Sequence, residues 1–517
     1  MKNKILFLSL LSFLFLGQMN AAEFRTDSLY SKWIIDSRMN DFRNKSETNH
    51  FLTPSSLRNV TWDYVPGLVA KAIIKTWEQY KNEPWSAYYY TGIQDYADHV
   101  TMNLGASNID DLNAGKIFFE LYRGAISKGD ATKAAVYKTK ATTCRNTLKL
   151  NHTRIGSALP GTGGFWHKSQ YINQMWLDGL YMGPALYAEW QGNFGAELGS
   201  IDNTASWNDI ALQFDTIFKH TWDTNKKLNY HAWSADPANT ASNYWADPVT
   251  GRSQEFWARG AGWFFAALVD VLEYMPASHP ARVRLVGYTN LVADGLKDRQ
   301  DAVSGCWYQL LQYDNTKKGS PCNLPNYLES SASSMFTYAY LKGMRLGILD
   351  KNSYQNLAIK AYKGLIENFV VEQPDGKISL IQSCESAGLS GSRKGDASYY
   401  LCGSDVVINN NTEGKVLGPF IMASLEYEIM QKNQTTNVDC QNLNSDFKII
   451  NNKNSITILS DQIKLSSLKI FNTQGFQILA KNAFQQAEIS VLVSGYLPGI
   501  YFLQINGLVP HKVLIHN

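Results

Sequence analysis

Charge imbalance, long apolar runs and cysteine clusters are what this chain lacks. Lys and Arg number 48 against 45 Asp and Glu, a net charge of +3 over 517 residues. With no basic stripe besides, a nucleic-acid scaffold is excluded. After residue 22 no apolar stretch is long enough to cross a bilayer, so no integral span is expected in the mature chain. Six Cys are scattered without zinc-ligand spacing. His-Glu-x-x-His, the P-loop, Gly-x-Ser-x-Gly and the dinucleotide fingerprint are all missing in a convincing context. No metal and no cofactor is therefore expected. Strict repeats are absent too, which argues against a TPR or HEAT solenoid.

What is present is aromatic surface: 13% of the chain, with 14 Trp and 28 Tyr. Such an excess suits stacking on sugar rings, or else builds a large aromatic core. Residues 1–22 read as a signal peptide, with Lys2 and Lys4, an apolar Ile5–Leu16 segment and a small-residue Asn20-Ala21-Ala22 end. The protein is expected to be exported, to the periplasm, the cell surface or beyond. Export permits disulfides; Cys384 with Cys402 is the first expected pair, Cys306 with Cys322 the second.

Periodicity predicts a leading helix within Arg25–Ser56 and helices over Leu68–Tyr80, Gly115–Tyr122, Ala131–Leu148, Ile172–Trp190, Trp207–Trp222 and Glu255–Tyr274. Further helices are predicted over Ala281–Arg299, Ser330–Leu346, Tyr354–Phe369 and Gly418–Gln431. Roughly ten to twelve paired helices imply an all-α toroid or bundle. Composition then shifts. The Asn/Gln/Thr-rich residues 433–446 read as a linker, and 447–517 alternate β-branched with polar residues, as in Ser455-Ile456-Thr457-Ile458, with a turn at Asn472–Gly475. That part is a small β-sandwich. Leu468–Phe476, Leu497–Phe502 and Lys512–Ile515 resemble the C-terminal sorting domain of type IX secretion, which implies that machinery as a partner.

The chemistry gathers around Trp166–Trp190, where aromatic residues surround Asp178. A carboxyl group walled by aromatics tends to hold its proton near neutral pH. Five junctions set polar groups and Trp at helix starts: Asn108–Lys116, Gly163–His167, Tyr230–Trp233, Glu255–Trp263 and Asn326–Ser331. Asp110 or Asn113 could simply cap a helix. Arg259, beside Trp257, Trp263 and Gly260, is either a fork for a substrate carboxylate or an Arg stacked on Trp and paired with Glu255. His167 and His231 suit hydrogen bonds to hydroxyls or a carboxylate.

Taken together, FWHK, QMWLDGLYMGPALYAEW, NYHAW, FWARGAGWFFAALVDVLEY, NYLESSASSMFTYAYLKGMRLG and VLGPFIMASLEYE resemble glycoside hydrolase family 105, the unsaturated rhamnogalacturonyl hydrolases, related to family 88. The likeness runs from about Trp62 to Glu428. It implies an (α/α)6 barrel over 23–432 and a reaction that hydrates the C4=C5 bond of a 4,5-unsaturated galacturonyl unit on an acidic oligosaccharide. It implies Asp178 as catalytic acid/base with Asp110, and Asn113, His167, His231, Trp257, Arg259, Trp263, Tyr64 and Gln174 as substrate-binding. Rival readings are an unsaturated glucuronyl hydrolase for ulvan or glycosaminoglycan fragments, an α/α-barrel lyase, and a non-catalytic surface glycan-binding protein.

Overall fold

The computed structural model describes residues 22–44; 62–442 without 106, 240, 241, 243 and 391; and 448–515 without 453, 454, 461–463, 473–476, 494, 495, 497, 498 and 509. The expected signal peptide, apart from Ala22, and most of the turn at Asn472–Gly475 lie outside the described residues. Two compact units emerge, Met1–Tyr427 and Glu428–Asn517.

The first unit is a ring of helical hairpins. Inner helices Tyr64–Gln79, Ile117–Ser127, Leu177–Met182 with Pro184–Phe194, Ala258–Tyr274, Ser330–Arg345 and Gly414–Asn442 alternate with outer helices. The outer set is Ala87–His99, Ala131–Asn146, Ser200–Thr221, Ala281–Lys297, Lys351–Phe369 and, at the closing position, Tyr30–Asn44. Sequence decides which is which. Apart from Lys342, Ser330–Met344 is made of apolar, aromatic and small residues, and all of it is buried. Its hydroxyls turn back on the helix, Ser334 Oγ to the Ser330 carbonyl and Thr337 Oγ1 to the Ser333 carbonyl, each at 2.7 Å. A helix that is apolar all round belongs inside, and one with a single apolar stripe belongs outside. Ala131–Asn146 is of the second kind, burying Ala134, Tyr137, Ala141, Cys144 and Arg145. The ring closes where Phe24 meets Tyr362 and Tyr427, themselves stacked at 4.1 Å. This is the (α/α)6 barrel.

Two expectations are corrected, and the stretch read as a linker acquires a secondary structure. Ile172–Trp190 is not one helix: Gln174–Trp176 is a strand, and helix begins at Leu177 and restarts at Pro184. The aromatic, amide-bearing Gln174–Trp176 pairs with Ala232–Ser234 instead, a tertiary preference that periodicity does not carry. The stretch read as a linker is helical as far as Asn442, since no Gly or Pro interrupts 420–442. The disulfide joins Cys322 to Cys402, while Cys144, Cys306 and Cys384 are free and buried.

The second unit stacks a sheet of Lys448–Asn452, Ser455–Leu459 and Glu488–Leu492 with one of Leu465–Phe471, Gln477–Gln486, Gly499–Ile505 and His511–Ile515. Alternation sets its core: Ile456 and Ile458 point inward while Ser455, Thr457 and Leu459 do not. They meet Leu468, Ile470, Leu503 and Ile505 there.

Candidate active site

Asp178 owes its place to the short strand before it. Trp176 pairs with Ala232, so the next residues face one another, and Leu177 N–H donates to the His231 carbonyl at 3.0 Å. Asp178 then falls in the first turn of its helix, with Oδ2 3.0 Å from His231 Nε2. Nδ1 of the same ring is 2.6 Å from the Tyr400 hydroxyl. Gly260 leaves room for this pair: a Cβ there would come within 3.0 Å of His231 Cδ2 and 3.5 Å of Asp178 Oδ2.

Asp110 arrives by a second backbone pairing. Asn108 bridges to Lys168, and Ile109 N–H donates to the His167 carbonyl. Asn108, not Asp110, caps the 3-10 turn Ile109–Lys116. Asp110 is thereby free to face Lys168 Nζ at 2.7 Å, with His167 Nε2 3.7 Å away, too far for a hydrogen bond. Burial raises the Asp110 pKa against the pull of Lys168. Burial and then Lys168 push His167 well below the ordinary imidazole range.

Both carboxylates line one cavity of about 220 Å³. Trp176 forms its aromatic wall together with His167 at 4.4 Å and Tyr171 at 4.7 Å, both rings nearly parallel to the indole. Trp257, Trp263, Tyr64 and Met182 continue the wall, and the loop through Ser386, Ala387 and Gly388 covers it. Four cations reach the lining, Lys168, Arg259, Arg393 and Lys415, against three acids, Asp110, Asp178 and Asp405. Tyr64, Asp178, Arg259 and Lys415 stand in or next to the first turns of inner helices, whose unpaired N–H groups and dipoles favour a negative ligand.

Of the residues expected at the site, Asp178, Asp110, His167, Trp257, Arg259, Trp263 and Tyr64 share this cavity. Three do not line it. Asn113 is buried, and its amide donates to the Tyr64 carbonyl at 3.3 Å. Gln174 is buried too, accepting from Trp176 Nε1 at 3.1 Å and donating to Ser242 Oγ at 2.9 Å, so it seats the indole. His231 is fully buried beneath Asp178. Arg259 is more committed than a free fork. Its Nε donates to Ser331 Oγ at 2.8 Å, its terminal nitrogens to the Cys384 and Glu385 carbonyls, and Glu329 lies 3.5 Å off. Glu255 is not its partner; Gln312 donates to that carboxylate at 2.5 Å. The junction at Asn326–Ser331 is structural, because Glu329 caps the helix it precedes through Ser331 and Ala332.

Lys168, Met182, Arg393, Asp405 and Lys415 went unread in the sequence. Lys168 had a signal, since it follows His167 directly. Arg393 and Asp405 had none: they lie in the loops on either side of the helix Ala397–Cys402, placed by contacts such as Gly388 N–H to Tyr399 Oη at 2.8 Å and Arg393 to Asp405 at 3.0 Å.

The family model for Glycosyl Hydrolase Family 88 matches residues 31–431, and that for a secretion system C-terminal sorting domain matches 450–513. A solved family 105 glycoside hydrolase from C. acetobutylicum is 34% identical, covers 78% of this chain and 100% of its own, and superposes with a TM-score of 0.62. A protein of Agrobacterium fabrum is 34% identical over 225 residues, 42% of this chain and 89% of its own length. The unsaturated 3S-rhamnoglycuronyl hydrolase of Formosa agariphila is 26% identical over 157 residues, 29% of this chain and 38% of its own. The sorting domain marks the chain for export to the cell surface or beyond. Among the described residues no helix is long and apolar enough to cross a membrane.

Proposed function

Because the chain belongs to the glycoside hydrolase group of families 88 and 105, and is therefore a glycosidase, we infer that it removes a terminal 4,5-unsaturated galacturonyl unit from lyase-made rhamnogalacturonan fragments. The observation that carries this reading is Asp178 in the wall of a small aromatic cavity that Lys168, Arg259, Arg393 and Lys415 also line, with one carboxylate oxygen 3.0 Å from His231 Nε2.

The C4=C5 bond of such a sugar is a vinyl ether. Asp178, protonated, gives its hydrogen to C4, and the ring oxygen shares the positive charge that develops at C5. Water adds at C5 and returns a proton to the Asp178 carboxylate. The C5 hemiketal then opens to a ketone, leaving a hemiacetal at C1 that releases the neighbouring sugar as an alcohol. One carboxyl group acting as acid and then base closes the cycle, unlike the two carboxylates of ordinary glycosidases. Lys168 and the remaining N–H groups of Arg259 would meet the C6 carboxylate, and Asp110 the ring hydroxyls. Trp176, Trp257 and Trp263 would stack on the ring and exclude water. His231 would act on Asp178 rather than on the sugar, and Asn113 and Gln174 would support the wall.

The conjugated double bond absorbs in the ultraviolet, so turnover is read as loss of that absorbance. Asp178→Asn should stop the loss in a folded protein; turnover at the wild-type rate would end the proposal. A second reading, an unsaturated rhamnoglycuronyl substrate, draws on the printed name of the Formosa agariphila relative. Digests of rhamnogalacturonan, ulvan and chondroitin compared side by side would separate the two.

A further inference from the structure

His231 is fully buried, yet both of its ring nitrogens are engaged. One imidazole hydrogen can serve Asp178, His231 and Tyr400 in two ways. With the hydrogen on Nε2, the ring donates to Asp178 Oδ2 and accepts from the Tyr400 hydroxyl. With the hydrogen on Nδ1, the ring donates to the Tyr400 oxygen, and its Nε2 lone pair accepts from a protonated Asp178. That second arrangement ties the Asp178 proton to Oδ2, against the buried ring. Only the first leaves it on Oδ1, the oxygen not committed to His231.

Tyr400 decides between them. Burial, then the neighbouring Tyr399 and Asp178, hold its pKa well above the ordinary phenol range, so it keeps a hydrogen to donate. Its position is fixed from several sides. It sits in the short helix Ala397–Cys402, capped by Asp396. Gln309 Nε2 donates to its carbonyl at 3.2 Å, its ring stacks on Trp257 at 5.9 Å, and Cys402 is bonded to Cys322. We propose that Tyr400 is a positioning residue: its hydroxyl donates to His231 Nδ1, fixes the Nε2–H tautomer, and so keeps the reactive proton of Asp178 on the oxygen available to substrate. This rests on the reading of Asp178 as the acid.

The test uses the full chain labelled with 15N-histidine. His231→Gln identifies the His231 signals among the nine histidines. The wild-type ring should show a protonated Nε2 and a bare Nδ1, and Tyr400→Phe should give a mixture. On an unsaturated disaccharide, Tyr400→Phe should lower kcat roughly tenfold, the worth of about one hydrogen bond, with KM within about twofold. In the His231→Gln background the same change should cost less than about twofold, because Tyr400 acts through the ring. A wild-type Nδ1–H tautomer, an unchanged kcat in Tyr400→Phe, or the whole tenfold loss persisting without His231 would each overturn the proposal. The wild-type spectrum requires neither a folded Tyr400→Phe nor turnover. If no unsaturated uronide is consumed, the reaction is refuted separately and the tautomer still decides the role of Tyr400.

Discussion

Two polar regions share the interior of the helical ring, and they are built on opposite terms. One is the Asp178 cavity, at the N-terminal ends of the inner helices. The other lies further along the same helices. Lys71 bonds Glu120 at 2.6 Å and Glu189 at 2.7 Å, and Lys342 bonds Asp270 at 2.8 Å and Glu273 at 2.7 Å. Tyr274 and Tyr338 donate to Glu189 and Asp270. The space left over is about 40 Å³. Here charge is matched by charge, and the helices are tied to one another. In the cavity, by contrast, Asp110 Oδ1 has no hydrogen-bond partner among the described residues. An unmet carboxylate oxygen on a residue that lines roughly 220 Å³ of space suits a ligand, whereas met groups hold the scaffold. The contact of Tyr181 with Trp263 at 4.8 Å is where the two regions touch.

The sharpest way to break this contrast is to neutralise one charge in each region. Asp178→Asn should lower kcat by about 10³-fold, the usual weight of a proton-transferring group, with little change in melting temperature. Lys342→Met should do the reverse. It leaves Asp270 without an ammonium partner and Glu273 with Arg345 at 3.4 Å, and stranding a buried charge costs about 3–5 kcal/mol. Urea unfolding measures this, and the loss should be larger at pH 7 than in acid. Burial opposes ionisation of Glu273, but Lys342 and Lys75 outweigh it and hold its carboxyl far below the usual range. That stabilisation is present above the ordinary carboxylate pKa and is lost as pH falls toward the depressed one. If Asp178→Asn unfolds the protein, or Lys342→Met leaves stability unchanged, the division between chemistry and scaffold is wrong.

The disulfide sharpens the comparison, because it belongs to the cavity side alone. Cys322–Cys402 closes a span of 80 residues and fastens the helix that carries Tyr400. Cys322→Ser with Cys402→Ser should cost about 2–4 kcal/mol by loss of that cross-link. It should also lower kcat, whereas a lesion of the ionic cluster that leaves the protein folded should not. Equal kcat with and without the cross-link would sever the link between this loop and Asp178.

This contrast also explains what the amino-acid sequence made legible. The helices over Ser330–Leu346 and Glu255–Tyr274 could be read because their apolar residues recur at helical spacing. Asp178 could be read because a lone acid among Trp176, Leu177 and Leu180 needs a reason to be there. The hydrogen bonds that hold it could not. His231 and Tyr400 reach it from separate segments, through strand pairing and a disulfide-held helix that no local pattern encodes. Cysteine spacing was uninformative for the same reason: Cys384 is nearer Cys402 in sequence than Cys322 is, but its thiol is buried beside Gln309 and the Ser386 carbonyl. The ionic cluster was invisible altogether. Lys71, Lys116 and Lys342 look like surface lysines on amphipathic helices until the ring closes around them.

Lys116 is the exception within the paired region, and it provides the smallest test. Its ammonium meets the Tyr181 carbonyl at 2.8 Å and the Tyr181 ring at 3.4 Å, with no carboxylate in direct contact among the described residues. Burial, against the pull of Asp270 and Glu189, lowers its pKa to about 7. A base whose folded pKa is depressed binds fewer protons folded than unfolded between the two values. Stability should therefore rise with pH from about 7 to 10.5. Lys116→Met keeps the length and removes the charge. It should stabilise the protein at pH 6 by about 1–2 kcal/mol, the low end for replacing a buried charge with an apolar side chain. The gain should shrink toward pH 10, where the native lysine is already neutral. Urea titrations of the two proteins at both pH values read the difference directly. A loss of stability at pH 6 would mean that Lys116 is as firmly paired as Lys71 and Lys342, and that the interior cluster has no unmatched charge.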